Sequence, residues 1–289
     1  MTVTSCPRCG EPTAPQHRFC EHCGARLRRP HDGDRVELTV RRSGTPLAGG
    51  VSDRGLRRQR NEDAMACGHA DRDGDVAVVA VVCDGVASVQ RGDEAAQAAV
   101  RTASDALLST VGTAPDLRQA TGDAVRRAAD SVAALARRPD GATGPSAGRG
   151  AGSPSSTFVS AVITTGQVVV GWVGDSRVYW LGERSSCLTT DHALGGVLTR
   201  WLGADAGEVR AQVAVFEPDG AGAVVVCSDG LWNYLPDADE LAEVALPTAD
   251  PFEAAVALTQ RALEAGGRDN ITVVVVPYPL PGVSAQPNT

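Results

Sequence analysis

Lysine is missing from this chain: all 27 basic residues among its 289 are arginine. The accompanying abundance of alanine, glycine, valine and aspartate marks this as a composition bias rather than as a phosphate-binding surface. No apolar run approaches the roughly 20 residues that span a bilayer. The chain opens on polar residues and cysteines, not on a basic segment followed by an apolar stretch, so the secretory pattern is lacking too. A cytoplasmic protein without a membrane partner is expected. Positive charge is in deficit, with a formal net charge of −8, which argues against a protein that coats nucleic acid. Disulfides are not implied, because Cys67, Cys83, Cys187 and Cys227 are scattered through hydrophobic sequence as small buried residues.

What is present suffices for one large domain and a small appendage, with 43% hydrophobic residues to build a core. The appendage is residues 1–27. There Cys6-Pro-Arg-Cys9-Gly and Cys20-Glu-His-Cys23-Gly form two Cys-x-x-Cys knuckles whose spacing suits one tetrahedral Zn²⁺. A segment this short cannot bury a core, so the metal would contribute most of its folding free energy. A redox pair is the competing explanation and fits the doubled motif less well. His17 and His22 read as surface residues. The arginines Arg26, Arg28 and Arg29 have one aromatic neighbour, Phe19, too little to make nucleic acid an expected partner.

Residues 28–50 read as a linker with one possible strand at Val36–Val40, the domain proper covers 51–278, and 279–289 reads as a frayed tail. Strands are expected at Val76–Cys83, Thr157–Thr164, Val168–Val173, Arg177–Leu181, Ser186–Thr189, Ala223–Cys227 and Ile271–Val276. Amphipathic helices are expected at 90–111, 115–138, 237–246 and 250–265. Residues 139–154, rich in Gly, Pro, Ser and Ala, read as a loop. Strands in groups and helices in groups indicate an α+β layered fold.

Four aspartates stand beside turn residues at the margins of apolar runs: Asp63, Asp84, Asp229 and Asp269. If such carboxylates converge, their mutual repulsion calls for cations, and hard oxygen ligands suit Mg²⁺ or Mn²⁺. The order of blocks allows a name. Gly55-x-x-Arg58-x-x-Asn61-Glu62-Asp63, Asp84-Gly85, Val173-Gly174-Asp175-Ser176-Arg177, Leu188-Thr-Thr-Asp191-His192, Cys227-Ser228-Asp229-Gly230-Leu231-Trp232 and Asp269-Asn270-Ile271-Thr272 resemble the signature blocks of the metal-dependent, type 2C serine/threonine protein phosphatases. Each block alone would be an ordinary Asx turn.

The resemblance implies a four-layer αββα sandwich of two antiparallel sheets flanked by helices, with a binuclear Mn²⁺ or Mg²⁺ centre at one end. It implies that Asp63, Asp84, the Gly85 carbonyl, Asp229 and Asp269 hold the metals, with Asp84 bridging, and that Glu62 acts through a water on them. Arg58 would hold the phosphate with its planar fork of donors. Phosphoproteins, and a Ser/Thr protein kinase that the enzyme opposes, are the implied partners. Asp175, Arg177, Asp191, His192 and Asn270 read as supporting residues behind the site. Cys83 and Cys227 adjoin ligand positions but lie in apolar strands, which suppress the thiolate.

Three departures from the family pattern carry expectations. Val86-Ala87-Ser88 follows Asp84-Gly85, so a leaving-group acid at position 86 is absent. No acid lies between Asp140 and Asp175, so a third metal site should be missing or weak. The stretch from Asp191-His192 to Gly203 is short, so the flap over the site should be truncated and substrate selection should fall to other surfaces such as the zinc ribbon. A catalytically weak phosphoprotein-binding scaffold is the alternative that these departures motivate.

Overall fold

The computed structural model describes residues 4–5, 9–13, 22–23, 35–72, 75–86, 91–136 and 153–281. Its strands begin with β1 (Thr4–Ser5), β2 (Pro12–Thr13), β3 (Arg35–Arg42), β4 (Thr45–Asp53), β5 (Asp63–Arg72) and β6 (Asp75–Asp84). They continue with β7 (Ser155–Ser156), β8 (Phe158–Ile163), β9 (Val168–Val173), β10 (Arg177–Leu181), β11 (Ser186–Cys187), β12 (Ala193–Leu194), β13 (Val197–Leu198) and β14 (Leu202–Gly203). The last are β15 (Gln212–Phe216), β16 (Gly222–Cys227) and β17 (Ile271–Tyr278). The helices are α1 (Gly92–Thr110), α2 (Leu117–Leu135), α3 (Asp229–Trp232), α4 (Ala238–Ala245) and α5 (Pro251–Ala265).

Two antiparallel sheets face each other, one in the order β11-β10-β16-β17-β4-β3 and one in the order β15-β9-β8-β6-β5. The run Val76–Cys83 shows why its sequence is apolar throughout rather than alternating. Val76, Val78, Ala80 and Val82 point between the sheets toward Trp180, Val224 and Val274. Ala77, Val79, Val81 and Cys83 point the other way, into a core shared with α1 and α2. Successive side chains of a strand point to opposite faces, so a strand covered on both faces must be apolar at every position. The other sheet is covered likewise, with Val51, Val225 and Val273 packed against Leu241 and Leu258 of α4 and α5. Four layers result, as expected.

The expected linker is corrected from Arg35 onward. The segment 35–53 forms β3 and β4, and β4 pairs with β17 over Ile271↔Asp53 to Val275↔Gly49. Pro46, Gly49 and Gly50 gave this strand the look of a turn, but their smallness serves packing. A Cβ on Gly49 would lie 2.2 Å from the backbone N and Cα of Phe252, so α5 rests directly on the strand. The strands β5 and β15 were not expected; Ala64-Met-Ala-Cys-Gly-His shows no alternation, and both lie at the edges of their sheet. The tail begins later than 279, because Leu280 is 1% exposed within the core between the sheets.

Where a zinc ribbon is expected, β1 and β2 pair antiparallel through Thr4↔Thr13 and Ser5↔Pro12, Cys9 is exposed and Cys23 partly buried. Cys6 and Cys20, residues 139–152 of the expected loop and residues 282–289 of the expected tail lie outside the described residues. Among the described residues no helix is long and apolar enough to cross a membrane.

Backbone contact at Gly49 makes a graded prediction. Gly49→Ala, which meets main chain at 2.2 Å, should cost about 1–3 kcal/mol and lower the melting temperature by several degrees. Gly50→Ala meets only side-chain atoms, the Met65 sulfur at 3.1 Å among them, and should cost less. Thermal melts of both variants check the order.

Candidate functional site

β5 and β6 place Asp63 and Asp84 directly opposite each other as a cross-strand pair, so the register that packs the Val76–Cys83 run also brings two carboxylates together. β16 ends at Cys227, and Asp229 opens α3 immediately after. α5 ends at Gly266 and Gly267, both with positive φ, and the turn that follows delivers Asp269 before β17. Close backbone approach fixes these loops. A Cβ on Gly230 would stand 1.8 Å from the Asn270 carbonyl oxygen, and one on Gly55 1.9 Å from that of Asp269. The result is a cleft of about 450 Å³ bordered by Arg58, Asp84, Gly85, Asp175, Asp229 and Asp269.

Asp63 lies beneath, 6% exposed. Its Oδ2 accepts hydrogen bonds from Ser228 Oγ and Thr272 Oγ1, each at 2.7 Å. Because the Thr272 hydroxyl donates to Asp63, Ser52 Oγ must donate to Thr272 at 2.8 Å and in turn accepts from Asn61 Nδ2 at 2.8 Å. The carboxylate is therefore aimed by a relay of hydroxyls. Its other oxygen, Oδ1, is buried without a partner, as is Oδ1 of Asp229. Asp84 lies within hydrogen-bonding reach of both Asp63 and Asp229.

Burial, then neighbouring carboxylates, raises Asp63, Asp84 and Asp229. Asp63 is pushed up to about 6 and Asp229 to about 7. Asp84, facing Asp63, Asp229 and Asp269, is raised well above the usual carboxylate range. Buried anions with orphaned oxygens are what a divalent cation neutralises, and an all-oxygen donor set fits Mn²⁺ or Mg²⁺. Among the described residues, however, no three acidic, histidine or cysteine side chains already stand as ligands about one point. Asp269 is clamped by Arg58, with Nε to Oδ1 at 2.7 Å and Nη2 to Oδ2 at 2.5 Å, so the arginine neutralises that carboxylate.

The supporting residues have separate tasks. Asn270 holds the arginine loop: its Oδ1 accepts from the Glu62 backbone N–H at 2.8 Å, and its Nδ2 donates to the Arg54 and Arg60 carbonyls at 2.7 and 3.0 Å. Arg177 grips Asp191 at 2.9 and 2.7 Å and lies 3.8 Å over the Trp232 ring, while Trp232 donates to the Asp175 carbonyl at 2.9 Å. His192 is fully employed. Its Nδ1 accepts from the Gly174 N–H at 3.0 Å, so Nε2 carries the proton and donates to Gln212 Oε1 at 2.9 Å. Burial lowers its pKa, which keeps the ring neutral. Cys83 and Cys227 are buried, and burial raises both thiols, which leaves them inert.

Asp175, expected behind the site, borders the same cleft as Asp84 and Asp229. The short flap is not bare. Residues 193–198 form a hairpin, β12 against β13, and Val197, Leu198 and Trp201 border the cleft. Sequence reasoning missed the Ser228, Thr272 and Ser52 relay; the hydroxyl residues flanking Asp229 and Asn270 were its visible trace.

The raised Asp229 carries a pH dependence whose sign is fixed. A carboxylate with folded pKa near 7 contributes stability below its unfolded value of 3.8 and loses it as pH rises through about 7. In a chelator, Asp229→Asn should therefore gain melting temperature relative to wild type between pH 5 and 8. Saturating Mn²⁺ should reverse the order by stabilising wild type more, since ligand binding stabilises the form that binds it. Melts at both pH values, with and without Mn²⁺, test it.

A family profile described as Protein phosphatase 2C matches residues 55–265. The serine/threonine phosphatase stp of Listeria innocua is 29% identical over 248 residues, covering 78% of this chain and 93% of its own. The solved serine/threonine phosphatase PstP/Ppp of Mycobacterium tuberculosis superposes with a TM-score of 0.64 at 25% identity, over 80% of this chain and 97% of that one. A catalytic domain of PstP in complex with 2 manganese ions gives a TM-score of 0.64 at 24% identity, over 84% and 98%. With the matched span running from the arginine loop to the end of α5, the chain belongs to the protein phosphatase 2C family.

Proposed function

We propose that this protein is a metal-dependent phosphoserine and phosphothreonine protein phosphatase that opposes Ser/Thr protein kinases. The observation that carries this reading is the convergence of Asp63, Asp84, Asp229, Asp269 and Arg58 on one cleft in a chain of this family.

Asp63, Asp84, Asp229, Asp269, Glu62 and the Gly85 carbonyl would hold a pair of Mn²⁺ or Mg²⁺ ions. When bound, such ions supply an acidified water as nucleophile and neutralise charge on the phosphoryl oxygens during in-line displacement. Asp63 is aimed for its task by Ser228 and Thr272. Arg58 presents a fork of donors that now spans both oxygens of Asp269 and matches two phosphate oxygens equally well. Asn270 fixes the loop that carries Arg58 and Glu62, so a substrate phosphate meets a preset geometry. No cysteine nucleophile is involved.

We read Cys6, Cys9, Cys20 and Cys23 as the ligands of one structural Zn²⁺. The pairing of β1 with β2 on either side of the first knuckle supports this.

Two measurements test these readings. Phosphate release from a phosphothreonine peptide should require Mn²⁺ or Mg²⁺ and vanish in Asp229→Ala, whereas Arg58→Ala should weaken transition-state stabilisation by roughly 10²-fold or more in kcat/KM. Release that persists in Asp229→Ala would overturn the assignment. Elemental analysis of the purified chain should find one Zn²⁺ per chain, lost in Cys9→Ser without loss of Mn²⁺-dependent turnover.

A further inference from the structure

We infer that the tip of the β12–β13 hairpin selects the substrate polypeptide by packing against an apolar side chain that flanks the phosphorylated residue. This rests on the phosphatase reading of the neighbouring cleft. Leu194 and Val197 are 79% and 68% exposed, the two most exposed large hydrophobics among the described residues. They are also cross-strand partners, so their side chains stand on the same face of the hairpin and form one apolar knob. Scattered apolar residues on a surface need no explanation; two paired at the rim of a catalytic cleft do.

The knob is held in place rather than left to wander. Gly195 and Gly196 take φ of 59° and 80°, the left-handed conformation of a tight two-residue hairpin turn. At the base, the Thr199 N–H donates to the His192 carbonyl at 2.8 Å, and the His192 N–H donates to the Gly174 carbonyl at 2.9 Å. The His192 ring adds its bonds to Gly174 and Gln212. Gly174 immediately precedes Asp175, so the hairpin is rooted in the wall of the cleft itself.

Continuity identifies the occupant. Val197 borders the cleft together with Leu198 and Trp201, and Arg58, Asp84 and Asp229 border the same cleft. A polypeptide whose phosphoryl group enters that cleft must run past the knob. With about 3.3–3.6 Å of reach per residue, a side chain one to three positions from the phosphorylated residue arrives there. An acidic or strongly polar flanking residue would leave the apolar surface in water, and an aliphatic one would cover it.

The test uses the full chain with Mn²⁺ and matched phosphothreonine peptides that carry either Leu or Ser at the positions flanking the phosphothreonine. Wild type should prefer a Leu-flanked peptide by about tenfold in kcat/KM, chiefly through KM, the scale of covering one aliphatic side chain. Leu194→Ser should shrink this preference and Leu194→Ser with Val197→Ser should remove it. Leu194→Ser should hydrolyse p-nitrophenyl phosphate and Ser-flanked peptides as wild type does, which separates the knob from the chemistry. Equal use of both peptides by wild type would overturn the proposal, as would a preference that survives the double substitution. Sedimentation showing that wild type self-associates, and the double variant does not, without any peptide preference, would assign the knob to a second copy of the chain and overturn it as well.

Discussion

Everything at the functional end of this molecule answers to one electrostatic constraint: carboxylates gathered where water cannot screen them. Asp63 and Asp84 face each other across a strand pair, and Asp229 completes a group in which the charge of Asp63 raises both of the others. Like charges at this separation in a poorly solvated site repel strongly. The fold answers in two ways. Hydroxyls from Ser228 and Thr272 both donate to Oδ2 of Asp63, and a guanidinium closes on the Asp269 carboxylate. Neither reaches Oδ1 of Asp63 or of Asp229, and those orphaned oxygens are the strongest structural argument for cations.

The sandwich earns its relevance through register. Valine runs buried on both faces allow little slippage, because a one-residue shift would exchange the inner and outer cores. The same register fixes which residue of β5 opposes Asp84. Glycine then does for the loops what register does for the strands. At Gly55 and Gly230 any side chain would collide with the 269–270 backbone, so the arginine loop, the Asp229 turn and the Asp269 turn form one block, pinned by Asn270. A site built this way is stiff at the ligands and permits variation only at its rim, where the short hairpin sits.

Much of this was legible in the sequence, and the failures have physical causes. Long valine runs announce covered strands, and β9 and β10 fall at their expected bounds of Val168–Val173 and Arg177–Leu181. The aspartates were findable because each stands where a strand or helix stops and a turn begins. The strand β4 was not, since Gly49 and Gly50 look like turn residues until α5 is seen resting on Gly49 and the Met65, Leu38 and Val274 side chains closing on Gly50. β5 was hidden by small and polar residues that an edge strand tolerates. His192 was read as a supporting residue, and its bonds to Gly174 and Gln212, which employ both ring nitrogens, agree with that. No one-dimensional pattern could show that Arg58 would pair with Asp269, 211 residues away.

That pair gives the site its logic. Arg58 and Asp269 were each read as half of a different function, one for phosphate and one for metal, yet here each satisfies the other with two hydrogen bonds. Asp269 cannot ligate a cation fully while both its oxygens are engaged, and Arg58 cannot fork around a phosphate while it holds Asp269. A cation held by Asp269 would compete with the guanidinium, and a phosphate held by Arg58 would compete with the carboxylate, so under the proposed roles the two binding events would favour each other to the same extent, because coupling free energy is reciprocal. The pair keeps a partly exposed guanidinium and a partly exposed carboxylate compensated by each other on the border of the cleft.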